Sequence, residues 1–442
     1  MEIRFLVLIT SILVIIFSSS GYAYDPVDPY GNITIRWDVV RDVGYGKQFV
    51  KVWMINNQLY RHIELPGWKV SWVWVGDEVI WEIQGAEATE QGNCSGAFKH
   101  LLPHSCEKQP VIVDLLPGAP FSKQTLDCCK GGLLSSIIQA DTQTSYNNNI
   151  AAFLMLIGTI NASNAPPQVP HNFSLGISGY TCSDPVLVQP TKSFEDQGRR
   201  RTQAIATYNV TCSYSQFRAA AAPTCCVSMS AFYSKTIVPC SQCSCACQLP
   251  QNGSSCLRPA DLPPPLQVEA NEEPRPVLQC SHHMCPIQVH WHVKQSYKQY
   301  CRVKITLSNF NYVKNYSEWN LVVLHPNLQN LTQVFSFNYR PLNQYGNTND
   351  TGMFYGIEHY NDILLQAGEK GYVQTEMLLY KDPKDFTFRE GWAFPRKISF
   401  NGQDCVLPPP DVYPRLPNSS HFSALLSTFS MFLSFLLFLL II

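Results

Sequence analysis

The sequence predicts an all-β fold: an N-terminal β-sandwich, a cysteine-rich disulfide-bonded middle region and a second β-rich C-terminal domain. Three observations predict it. Short runs of residues alternate apolar and polar with a period of two, and turn residues punctuate them, as half-buried strands require. Seventeen cysteines stand in a chain that opens on a secretory leader, so thiols are expected to pair. The stretch Gly67–Glu82, GWKVSWVWVGDEVIWE, holds four of the nine tryptophans in sixteen residues and is the motif the N-terminal half is organised around.

Residues 1–23 form the leader. Arg4 supplies a basic start, Phe5–Phe17 an apolar run, and Gly21 and Ala23 the small residues of a cleavage site after Ala23. Residues 24–160 read as the sandwich. Asn32–Val39 and Phe49–Ile55 alternate, and Val111–Leu116 is a further strand closed by Pro117-Gly118. The run 151–157 is apolar throughout and fits either a buried strand or a short helix. In an extended chain, Trp68, Val70, Trp72 and Trp74 share one face, with the rings of Trp72 and Trp74 about 7 Å apart. That row suits a sandwich core, where aromatics dominate. It equally suits a platform on which pyranose rings stack. The following strand carries Val79, Trp81 and Ile83 on one face and can bury one side while leaving part of the first row outward.

Residues 161–256 hold the densest cysteines, ending in the CxxCxCxC run Cys240–Cys247. In an oxidising compartment that spacing means disulfides rather than a metal site. Residues 257–279 have the proline-rich composition of a linker, and residues 280–410 return to strands. His290 and His292 share a strand face there, with no further ligand at motif spacing, so a structural or surface role is expected. Residues 411–442 are a spacer and an apolar tail from Phe422 to Ile442 with no basic residue after it. This is the pattern of a glycosylphosphatidylinositol (GPI) signal, its tail removed and the lipid attached at Asn418 or, failing that, Ser419 or Ser420.

Glycosylation sequons fall at Asn32, Asn161, Asn172, Asn209, Asn252, Asn315, Asn330 and Asn349, besides Asn93, whose sequon encloses Cys94, and Asn418. The formal charge of −1 gives no reason to expect nucleic acid as a partner. No nucleophile elbow, HExxH, phosphate-binding loop or dinucleotide fingerprint is present, so neither an enzyme nor a cofactor is expected. Carboxylate pairs such as Glu87 with Glu90 are what 33 acidic residues produce by chance.

Blocks along the whole chain resemble the plant COBRA family. They include Tyr24-Asp25-Pro26, Tyr60-Arg61-His62, Pro66-Gly67-Trp68, Thr89-Glu90-Gln91-Gly92, Val113–Gly118 and Cys128-Cys129-Lys130-Gly131-Gly132. Thr224–Ser228 with the Cys240–Cys247 cluster, His283–Ile287, His290–Lys294 and Gly391–Pro395 continue the match. The resemblance implies a carbohydrate-binding-module-like N-terminal domain, GPI attachment at the outer face of the plasma membrane with a shed wall form as the variant, and cellulose or another wall glucan as partner. It also implies a role in cellulose microfibril orientation and anisotropic growth. Carried over to this chain, the glucan-facing candidates are Trp53, Tyr60, Trp68, Trp72, Trp74 and Trp81. Two positions depart from the family: Ser105 stands where a cysteine is usual, and Cys301 where a tryptophan is usual. The odd cysteine total leaves at least one thiol without an intrachain partner. Competing expectations are an adhesion protein with a protein partner and no direct glucan contact, and a weak glycan-acting enzyme.

Overall fold

The computed structural model describes residues 25–414 apart from 26, 65, 96–101, 139–147, 160–165, 196–199, 220–224, 241–285, 311–315, 343–349, 358–359, 362, 365–370 and 382–392. The leader, the linker 257–279, the tail, most of the CxxCxCxC run and Asn161, Asn252, Asn315, Asn349 and Asn418 lie outside the described residues, as does the side chain of Asn330. The chain divides into two compact units, Met1–Ala221 and Ala222–Ile442.

In the first unit the strands are β1 (Ile33–Gly44), β2 (Lys47–Asn56), β3 (Lys69–Val73), β4 (Glu78–Gln84), β5 (Ala86–Ala88), β6 (Val111–Asp114) and β7 (Ile150–Thr159). They continue with β8 (His171–Ser174), β9 (Tyr180–Cys182), β10 (Val186–Val188), β11 (Lys192–Glu195), β12 (Arg200–Gln203) and β13 (Ala206–Tyr214). One sheet runs β10-β13-β1-β2-β7-β4, with β9 also on β13; the other runs β5-β6-β3-β8. Their inner faces make one core, in which Ile33, Ile35 and Trp37 of β1, Val50, Val52 and Met54 of β2, and Phe153 of β7 meet Val70, Trp72, Ile112 and Phe173 from the facing sheet. The 151–157 run is strand β7, paired with β2 and β4, with Ala151, Phe153, Met155 and Ile157 in the core and Leu154 and Leu156 half-buried on the outer face.

Buried polar contacts join motifs far apart in sequence. The Asp114 carboxylate accepts the backbone N–H groups of Cys129 (2.8 Å), Lys130 (2.9 Å) and Gly132 (3.0 Å). Gly67 and Gly132 both have positive φ (86° and 82°), and a Cβ on Gly67 would lie 2.3 Å from the Gly131 carbonyl oxygen. Only glycine permits that approach. Asp25 accepts hydrogen bonds from the Tyr60 hydroxyl and from Arg61, whose Nη1 lies 2.5 Å away. Burial pushes the Asp25 carboxyl up, but the Arg61 charge and the bonds from Tyr60 and Arg61 outweigh it and hold the group below its ordinary value.

The second unit comprises β14 (Cys225–Ala231), β15 (Ser234–Val238), β16 (Ile287–Ser296), β17 (Tyr300–Asn309), β18 (Tyr316–Ser317), β19 (Asn320–Leu324) and β20 (Leu331–Val334). It ends with β21 (Asn338–Leu342), β22 (Thr351–Tyr355), β23 (Ile363–Leu364), β24 (Tyr372–Tyr380), β25 (Lys397–Phe400) and β26 (Gln403–Asp404). Sheets β15-β14-β16-β17-β24-β20 and β21-β22-β19-β25-β26 enclose a second core around Trp291, Trp319, Phe337 and Phe354. The all-β expectation therefore holds, with two β domains.

Two boundaries shift. The first sandwich does not stop at residue 160, because β8 pairs with β3 and β13 pairs with β1 from Ile33↔Cys212 to Val39↔Ala206. The second does not start at residue 280, because β14 lies parallel to β16 from Cys225↔Ile287 to Ala231↔Val293. The described part of the cysteine-rich segment 161–256 is thus shared between the two units. Its disulfides staple strand ends: Cys182–Cys212 joins β9 to β13, and Cys225–Cys405 and Cys226–Cys240 fasten β14. Cys94–Cys106 and the adjacent Cys128–Cys129 complete the described pairs, and Cys301 is a buried free thiol.

Candidate functional site

The tryptophan row faces inward. In β3 the outward positions are Lys69 and Val73, while Val70, Trp72 and, beyond the strand end, Trp74 point to the core. Trp68, Trp72 and Trp74 are at most 1% exposed. Trp37, Trp72 and Trp74 pack edge to face with centroids 5.3–6.1 Å apart and planes at 76–85°, and Trp68 stacks on Phe153 at 6.1 Å. This arrangement sets ring edges against ring faces, the favoured geometry for aromatic pairs. The expectation that these three rings offer a glucan platform is corrected: the facing sheet already occupies them. Tyr60 is likewise removed from solvent, its hydroxyl spent on Asp25. Burial pushes its phenol far above the ordinary value.

Two of the six candidates lie on the opposite, outer face of the larger sheet. Strand β2 alternates strictly: Val50, Val52, Met54 and Asn56 go inward, and Phe49, Lys51, Trp53 and Ile55 stand half-buried on the outside. Register places Trp53 between Arg36 of β1 and Ala152 of β7, and Lys51 between Asp38 and Leu154. Trp53 Nε1 donates to Asp38 Oδ2 at 3.0 Å, which also receives the Arg36 guanidinium at 3.3 Å. Thr207 of β13 donates to the other Asp38 oxygen at 2.6 Å. Lys51 Nζ lies 3.9 Å and Arg36 Cζ 4.8 Å from the Trp53 ring centroid. Arg41 stands 4.8 Å over Phe49.

Trp81 sits at a β-bulge of β4, against Gly158 of β7, where a Cβ would come within 3.1 Å of its Nε1. Lys47 Nζ covers its ring at 3.7 Å, so Trp81 is only 9% exposed. The candidates thus split: Trp53 is accessible, Trp81 is capped, and Tyr60, Trp68, Trp72 and Trp74 are structural. The sequence reading missed Phe49, Arg36, Lys51 and Asp38 as neighbours of Trp53. Their signal was the outer parity of β2, which carries two aromatics where an ordinary solvent face carries polar side chains.

At about 4.8 Å between strands, the five neighbours β13, β1, β2, β7 and β4 make a face about 19 Å wide. It carries half-buried Phe49, Trp53, Ile55, Leu154 and Leu156 beside the partly exposed Arg36 and Lys51, with Asp38 and Thr207 buried beneath them. Ring and aliphatic surfaces interleaved with donors and acceptors suit adsorption of a polyhydroxylated chain. Among the described residues no group of three or more His, Cys, Asp or Glu side chains is arranged to hold a metal. Glu87 lies 3.9 Å from Lys123 on an exposed surface. Of the described sequons, Asn172 is exposed and Asn32 and Asn209 are partly exposed.

The family model for the COBRA N-terminal domain matches residues 48–215, and that for the COBRA family C-terminal domain matches residues 224–414. Both spans agree with the sheet pairings rather than with a boundary at residue 160. COBRA-like protein 6 of Arabidopsis thaliana is 52% identical over 94% of this chain and 90% of its own length. COBRA-like protein 1 of Oryza sativa subsp. japonica is 53% identical over 93% of this chain and 92% of its own, and Protein COBRA of Arabidopsis thaliana 50% identical over 92% and 90%.

Proposed function

The chain belongs to the COBRA family, and on that premise we propose that it is a non-catalytic protein of the outer cell surface that binds wall glucan and biases how cellulose microfibrils are laid down. A GPI lipid added at Asn418 holds it to the plasma membrane in this reading, and cleavage after Ala23 delivers it there. The observation that carries the glucan contact is the outward parity of β2, which sets Trp53 and Phe49 on an open sheet face instead of in the core. Arg41 over Phe49 and Lys51 over Trp53 are flexible side chains in partial contact with solvent, so a sugar face can take their place while Arg36 stays with Asp38.

A single stacked ring contributes about 1 kcal/mol by analogy with aromatic pairs, so retention requires Trp53, Phe49 and their aliphatic neighbours acting together. The mature ectodomain should be retained on crystalline cellulose, and Trp53→Ala with Phe49→Ala should lower that retention at least tenfold in a protein whose circular dichroism is unchanged. Undiminished retention of the folded double variant would remove the outer face from the account.

A further inference from the structure

A concave feature of the second unit lies at the tip of the β16–β17 hairpin, on the outer face of its six-stranded sheet. It is a cavity of about 590 Å³ lined by Tyr297, Lys298, Tyr300, Arg302, Phe335 and Leu378, with Gln299 at the rim. Its position follows from register. Tyr300 pairs with Tyr380 and Arg302 with Leu378, which faces Gln333 of β20 on its other side. The inward residues of the same strands, Cys301, Val303, Met377 and Leu379, fill the core, so Tyr300, Arg302, Leu378 and Tyr380 stand on the other face.

The aromatic groups here are open to solvent, unlike the tryptophans of the first unit. Tyr297 is 42%, Phe335 48% and Tyr380 37% exposed, and Tyr380 packs edge-on against Tyr300 at 5.6 Å. The tip is held in place. Tyr297 N–H bonds the Tyr300 carbonyl at 2.8 Å, its hydroxyl donates to Gln295 at 2.7 Å, and Lys381 Nζ donates to Ser296 Oγ at 2.5 Å and to the Tyr297 carbonyl. Fixed, half-exposed rings around a cavity of this size are characteristic of small-ligand sites.

Charge selects the ligand. Lys294, Lys298, Arg302 and Lys381 gather at this end of the sheet, and the single described acid among them, Glu376, hydrogen-bonds both Lys294 (2.5 Å) and Arg302 Nε (2.6 Å). Glu376 is held below its ordinary value first by the Lys294 bond and then by Arg302. Lys298 is exposed at the rim and makes no ion pair among the described residues. We propose that this pocket binds an acidic saccharide, a hexuronate unit of a polyanionic glycan, with a pyranose face on Tyr297 and Phe335 and its carboxylate on Lys298, beside the Arg302–Glu376 pair. A neutral glucan would offer Lys298 no counter-charge, whereas a carboxylate does.

The site lies in a different unit from the Trp53 face, so the two can be tested apart on the intact ectodomain. Titration calorimetry with trigalacturonate should show binding that weakens as salt rises. Cellotriose should bind at least tenfold more weakly. Lys298→Gln should lower trigalacturonate affinity about fivefold and flatten its salt dependence. Tyr297→Ala with Phe335→Ala, both exposed and tolerable to the fold, should lower it tenfold or more, and Trp53→Ala should leave it unchanged. Equal affinity for cellotriose, loss of binding in Trp53→Ala alone, or no binding of trigalacturonate by the folded wild type would each overturn the proposal.

Discussion

Replacing Trp72 with alanine separates a core role from a surface role more sharply than any other single change. The ring is fully buried and touches Trp37 (5.3 Å), Trp74 (5.5 Å) and Phe173 (6.0 Å). A buried tryptophan removes roughly 150–250 Å² from water, which at about 25 cal/mol per Å² gives an upper figure of about 4–6 kcal/mol. Core Trp→Ala substitutions cost about 3–5 kcal/mol once partial collapse of the cavity is included. Trp72→Ala should therefore destabilise the first unit by about 4 kcal/mol. Trp53→Ala loses a half-exposed ring, its bond to Asp38 and contacts with Lys51 and Arg36, together about 1–2 kcal/mol.

Urea denaturation of the mature ectodomain, with the two units' transitions followed separately, measures both costs. Cellulose retention is then compared at a urea concentration where each variant is still folded. The expected pattern is crossed: Trp72→Ala loses about 4 kcal/mol and keeps retention, and Trp53→Ala loses retention at the smaller cost of about 1–2 kcal/mol. A cost under about 1 kcal/mol for Trp72→Ala, accompanied by lost retention, would mean that the ring faces solvent and that the inward assignment of β3 is wrong.

Three further outcomes follow from the geometry. Cys225→Ser with Cys405→Ser opens a loop of 180 residues, for which the chain-entropy relation gives about 5 kcal/mol, so the second unit's urea midpoint should fall steeply while the first unit's stays put. His290 and His292 lie against Ser228, Ser230, Lys304 and Lys294, and burial, followed for His290 by the His292 charge and for both by lysine charge, lowers both imidazoles from their ordinary value. Neutral imidazole is thus favoured by the fold, and its stabilisation is complete above about pH 6.5 and lost as pH falls through the lowered values; His290→Gln with His292→Gln should flatten that acid-side fall in thermal midpoint. Burial pushes the Cys301 thiol up to about 11, so iodoacetamide at pH 8 should leave Cys301 unlabelled in the folded chain and label it in urea, as read by mass spectrometry.

Fold class and strand positions were legible because a period of two in sequence is a period of two in space. Several sequence motifs turn out to be two ends of one contact: Asp25 meets Tyr60-Arg61, Asp114 meets Cys129 to Gly132, and Gly67 lies against Gly131 and Gly132. Domain boundaries were not legible. Strand β13 closes a pairing with β1 across more than 160 residues, and no local signal marks a partner that distant.

The proposed face was illegible for a different reason: alternation shows which residues share a side, not which side is inside. In β3 the set opposite the tryptophans, Lys69, Ser71 and Val73, holds a charge and a hydroxyl, and tryptophan took the core by default. In β2 both sets are apolar, Val50, Val52 and Met54 against Phe49, Trp53 and Ile55. Only one set can meet the facing sheet. The β-branched and flexible set packs there, and the aromatic set is left outside with Arg36 and Lys51 leaning over it. An apolar face that a strand keeps although its core needs are already met on the other side calls for a reason beyond folding, since exposing rings gains the fold nothing. The same logic applies at Tyr297 and Phe335, which follow the ends of β16 and β20 beside strands β17 and β24 that already seal a core through Val303, Met377 and Leu379. In this chain the surplus aromatics, rather than the densest ones, mark where a partner would rest.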